Sequence, residues 1–141
     1  MNTTSHIMLY YKGDISALTL FCQFEDGGIC YPPLPKLSSI LDAGDVQPEV
    51  MDLDGTKLIK QINELWGLDD ELVVPEPGFY QQIETAKGIA TVYLARFKIL
   101  DPPNEIVLQN NAKLLRLTEL VGRLPTEMEL LRRAYTVLME G

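Results

Sequence analysis

Apolar positions along this chain follow two periods in turn. Residues 6–11 and 17–24 are rich in β-branched, aromatic and aliphatic side chains and read as two strands joined through a turn at Lys12-Gly13-Asp14. Glu25-Asp26-Gly27-Gly28 is a second turn, because Asp-Gly supports the positive φ angles of a tight hairpin; residues 29–31 should then pair back on the preceding strand. The period becomes helical over residues 55–68. Leu58, Ile62, Leu65 and Trp66 fall on one core-facing stripe, Asp54 or Thr56 can cap the start, and Gly67 suits the end.

After a short strand at 72–74, residues 79–84 and 89–99 form a hairpin about Ala86-Lys87-Gly88. Ala90, Val92 and Leu94 alternate with Thr91, Tyr93 and Ala95, which marks this stretch as the central strand. Asp101-Pro102-Pro103-Asn104 cannot continue a ladder and is expected to end the sheet region. At the C-terminus, Thr126-Glu127-Met128-Glu129 has the form of a capping box, with Thr126 and Glu129 as its two partners. Leu130, Leu131, Ala134, Val137 and Leu138 follow at helical spacing and predict a helix over 127–139.

Residues 32–55 lose both periods and hold four prolines, two glycines and several acids. A short helical turn at 38–41, capped by Ser38, is the one element expected there. Loops of this length in a compact domain usually serve a function, and any ligand of the domain should lie beneath this one.

The helix at 56–66 has a further property. Ile62, Glu64, Gly67 and Leu68 match the second half of the pattern G-x5-E-x7-R-E-U-x-E-E-x-G-U, where U is aliphatic. Lys60 stands at the Arg position, Gln61 at the first helix Glu, Leu65 at the last, and Asp52 at the earlier Glu. The segment thus resembles the Nudix box. Tyr31 followed by Leu34-Pro35 resembles the strand end that often precedes the box, with Lys36-Leu37 in place of the usual glycine pair and a longer spacer. The later hairpin, Thr118-Glu119-Leu120 and the last helix extend the same order, so the resemblance covers about residues 6–140. It implies an α/β fold of the Nudix type, a mixed, largely antiparallel sheet sandwiched between helices. It also implies Mg²⁺ or Mn²⁺ held by carboxylates for cleavage of a nucleoside diphosphate linked to another group.

The chain departs from the pattern at the acids. Residues three or four apart share a helix face, so Gln61 and Glu64 could act together, but Glu64 alone is anionic. A hard cation needs several oxygen ligands, and Asp52, Asp54 and Glu49 are the acids in reach of such a site. Glu64 and Asp52 are therefore the candidate catalytic residues; Glu64, Asp52 and Asp54 are the candidate metal ligands, and Lys60 and Gln61 the candidate ligand contacts. The plainer reading of Glu64 is an exposed helix residue paired with Lys57 or Lys60.

With 141 residues the chain is one domain, and no repeat or second domain is visible. Its net charge of −8 is concentrated between residues 42 and 84, where eleven acids face two bases. Such a field repels phosphate backbones and argues against nucleic acid as a partner. No apolar run is long enough to span a membrane and the N-terminus lacks the regions of a signal peptide, so a soluble, cytoplasmic protein is expected. Cys22 and Cys30 sit in apolar strand-like surroundings and read as reduced core thiols. His6 is the single histidine, which excludes a multi-histidine metal site, and its place at a strand start suggests a surface or edge residue. Arg132 and Arg133 read as surface residues. Phosphate-binding glycine loops and Gly-x-Ser-x-Gly elbows are missing.

Three functions stay open on these grounds. The first is a Nudix-like domain with a degenerate metal site that binds a nucleotide-like small molecule without canonical hydrolysis. The second is a divergent Mg²⁺-dependent diphosphate hydrolase. The third is a structural module that forms a homodimer.

Overall fold

The computed structural model describes residues 4–13, 18–41, 55–69, 71–121 and 124–140. In chain order the elements are β1 (Thr4–Lys12), β2 (Thr19–Gln23), β3 (Ser38–Ile40), α1 (Thr56–Trp66), β4 (Val73–Pro75), β5 (Gln81–Thr85), β6 (Gly88–Phe97), α2 (Asn104–Gln109), β7 (Lys113–Leu115) and α3 (Pro125–Glu140), with a 3₁₀ turn at Leu117–Glu119. The seven strands form one mixed sheet in the order β3-β5-β6-β1-β2-β7, with β4 also paired to β6. β6 runs parallel to β1 and the other pairs are antiparallel. The fold is therefore α/β with a mixed sheet.

β6 is central because it is long enough to be shared. Its first half pairs with β5 (Gln81↔Val92) and its last residues with β4 (Val73↔Phe97) on one side, while β1 takes the other side (Met8↔Leu94). The period-two alternation then divides the core between two faces. Met8, Tyr10, Phe21, Val92 and Leu94 pack with Leu130, Leu131, Ala134 and Leu138 of α3. Ile7, Leu9, Cys22, Tyr93, Ala95 and Phe97 pack with Leu58, Ile59 and Ile62 of α1 and Val107 of α2. The sheet thus lies between α3 on one side and α1 with α2 on the other.

Several local expectations change. Residues 38–40 form an edge strand instead of a helical turn, because the open edge of β5 supplies partners for their backbone (Ser39↔Glu84) and the Ser38 hydroxyl donates to the Pro35 carbonyl at 2.6 Å. Asp101-Pro102-Pro103 breaks the ladder but does not end the sheet, since α2 follows and returns the chain to the β2 edge as β7. Tyr31 pairs with Ile7 of β1, not with β2. β2 covers β1 only from Tyr10 to Lys12, which leaves that earlier edge free for it.

His6 is buried, not an edge residue. β1 lies inside the sheet, and the His6 Nδ1–H donates to the Pro32 carbonyl at 2.6 Å. Burial pushes its pKa below the usual histidine value, opposed in part by that hydrogen bond. Cys22 and Cys30 are free buried thiols, one in each half of the core, and burial raises both.

The start of α3 is capped by different groups from those expected. Pro125 takes the first helical position, where its fixed φ and missing N–H cost nothing, and this starts the helix earlier than Thr126 could. The third helical residue is then Glu127. Its fully buried carboxylate accepts from the Leu124 N–H and, across the core, from the Ile29 N–H, each at 3.2 Å. Thr126 donates instead to the Ser38 carbonyl at 2.6 Å, and Glu129 pairs with Arg132 and Arg133.

Candidate functional site

α1 is fixed at both ends by glycine. Gly55 precedes it at φ 69°, and a β-carbon there would come within 2.8 Å of the Tyr93 ring, so the helix start lies directly on β6. Tyr93 is supported by Tyr80 with ring centroids 6.3 Å apart, and the Tyr80 hydroxyl accepts from the Gln82 side chain at 2.9 Å. Gly67 closes the other end at φ 67°, its N–H returning to the Asn63 carbonyl. Trp66 is half-buried at this end, its ring 5.9 Å from Phe24.

Leu58, Ile59 and Ile62 face the sheet, and Lys57, Lys60, Gln61 and Glu64 are exposed. Leu65 is exposed as well, by 61%, against the expectation that it joins the core. At about 100° per residue it points roughly 90° away from the centre of the buried arc, whereas Ile59 lies within it. Lys60, Gln61, Glu64 and Leu65 therefore share one open surface. Among the described residues Glu64 forms no ion pair with Lys57 or Lys60, whereas on α3 Glu129 pairs with Arg132 and Arg133.

Asp52, Asp54 and Glu49 lie outside the described residues. Within the described part, no three His, Cys, Asp or Glu side chains come together as a metal group. Glu64 by itself does not fit Mg²⁺ or Mn²⁺, which take about six oxygen ligands and bind weakly to a lone exposed carboxylate. What α1 does offer is a cation, an amide and a carboxylate on one accessible face. That set can hydrogen-bond and charge-pair a polar ligand.

A second concave region was not visible in the sequence. It lies between the start of β2, the 3₁₀ turn and α3, and its lining comes from three separate segments. Leu18 and Thr19 fall in the strand read at 17–24 and Tyr135 in the last helix, but nothing local brings them together with Arg116, Leu117 and Thr118.

The geometry defines an α/β protein with a mixed sheet and an open polar helix face. No protein-family model matches the chain, and no curated protein matches it.

Proposed function

We propose that the chain is a Nudix-like domain that binds a nucleotide-related small molecule through the outer face of α1 and does not carry out canonical diphosphate hydrolysis. The observation that carries this reading is the exposure of Leu65 beside Gln61 and Glu64. The position is open to a ligand, as the resemblance requires of the last helix glutamate, yet it holds a hydrocarbon. In this reading Lys60 and Gln61 contact the ligand's phosphates, Glu64 orders the face, and the helix acts in recognition or regulation without chemistry. Asp52 and Asp54 belong to the proposal as the acids the resemblance brings toward the same face.

A cytoplasmic location fits the two free buried thiols. A homodimer is part of the same proposal, supported by large apolar side chains left exposed at Leu65, Leu100, Leu108 and Val121. The helices of the described residues include none long and apolar enough to cross a membrane.

The test is a titration with ADP-ribose and Mn²⁺, read by thermal midpoint and by product formation. The expected outcome is a midpoint that rises with ligand concentration without turnover. Turnover on the order of 1 to 1000 per second would instead make the chain a hydrolase. A midpoint unmoved by millimolar ligand would remove the binding reading.

A further inference from the structure

A cavity of about 510 Å³ opens on the α3 side of the sheet, lined by Leu18, Thr19, Arg116, Leu117, Thr118 and Tyr135. Its volume falls among those of small-molecule sites. Thr19 shares a face with Phe21, two residues on, which packs toward α3, and Tyr135 lies on α3 itself. The cavity is therefore separate from the α1 surface.

Two of its polar groups lack partners among the described residues. Thr19 is 8% exposed, and its buried hydroxyl has no hydrogen bond. With almost no accessible surface, that hydroxyl is closed off from the cavity and offers a ligand no contact there. Arg116 is held through its backbone N–H, which donates to Glu119 Oε1 at 2.9 Å, while its guanidinium has no carboxylate within ion-pair distance. Arg116 is exposed and is the single cationic side chain on the described lining, so in a chain of net charge −8 it favours an anion there. One planar cation matches one carboxylate in bidentate geometry. A phosphate dianion would call for a second cation, and among the described residues of the lining Arg116 is the single one.

We propose that this cavity binds a small monocarboxylate, with the carboxylate on the Arg116 guanidinium and the apolar body against Leu117 and the Tyr135 ring. The test uses the full chain labelled with ¹⁵N and titrated with hexanoate, hexylamine and 1-hexanol, which share one body and differ in the head. Hexanoate should give saturable amide shifts at residues 18–19, 116–118 and 135, and hexylamine none. R116Q alters an exposed side chain and should leave the spectrum elsewhere unchanged while weakening hexanoate by about tenfold or more. T19V, nearly isosteric, removes a hydroxyl that the cavity does not reach and should bind hexanoate as the parent does. The proposal is overturned if hexylamine and hexanoate behave alike, if the shifts fail to saturate or centre on α1, or if R116Q binds hexanoate as the parent does.

Discussion

α1 and α3 flank the same sheet, yet they use their polar side chains in opposite ways. On α3, Thr126 is bonded to Ser38, Glu127 to the backbones of Leu124 and Ile29, and Arg133 to Gln81 and Glu129. These groups tie the helix to the Cys30 end of the core at its start and to β5 at its middle. Near its C-terminus the Lys12 ammonium donates to the Leu138 carbonyl, fastening it to β1. On α1, Lys57, Lys60, Gln61 and Glu64 make no such contacts among the described residues, and the helix is held by its apolar face and by glycine at both ends. Polar groups already satisfied by the protein are spent on structure; those left open are the ones a ligand can use.

The largest effect should come from removing the apolar anchor that both helices have. Ile62→Ala and Leu130→Ala should each lower stability by roughly 2 to 5 kcal/mol in denaturant unfolding. A loss well under that for Ile62 would mean that α1 is only loosely docked, and the comparison would fail. Next in size is Glu127→Ala, expected to cost about 2 to 4 kcal/mol because two buried amides lose their acceptor. Glu129→Ala, at an exposed ion pair, should change stability by less than about 0.5 kcal/mol. Equal effects of the two would return the cap to the Thr126 and Glu129 pair.

His6 adds a pH dependence on the α3 side. Its pKa in the folded chain lies below the unfolded value of 6.5, so burial favours the neutral ring. Above that pH both states are neutral and the native state keeps its full stability. Below it the unfolded chain takes up the proton first, and stability falls by at most about 1.4 kcal/mol per pH unit until the folded ring titrates too. Unfolding midpoints compared at pH 7 and pH 5 should show this decline, and His6→Gln should flatten it. An equally steep decline in the variant would assign the proton to carboxylates.

These contrasts also explain what the chain discloses before it folds. Both long helices, the β5–β6 hairpin and the central place of β6 were legible because each spans enough residues to display a period. β3, β7 and α2 were not, for three to six residues carry no period, and their identity depends on edges formed by distant strands. The cap of α3 was misread by two residues since Thr126 matches the local pattern, while Pro125 and the distant Ile29 amide decide the outcome. His6 appeared peripheral because strand order is not written locally. For the site, Lys60, Gln61 and Glu64 share an exposed face as their spacing required, but the side taken by Leu65 depends on the docking angle of α1.

The smallest stability change belongs to that residue and is the sharpest test of the open face. Because Leu65 is exposed, Leu65→Glu combined with Gln61→Glu should shift unfolding free energy by less than about 0.5 kcal/mol, where burial of the leucine would make the same change severe. The variant then carries carboxylates at 61, 64 and 65, which lie on one helix face at i, i+3 and i+4. It should bind Mn²⁺ more tightly than the parent, seen as paramagnetic broadening confined to amides of α1, since three acids replace one as hard oxygen donors. A stable variant without that broadening would show that the face of α1 cannot gather a cation even with its acids restored. In that case the contacts of Lys60 and Gln61 alone would have to account for whatever the helix binds.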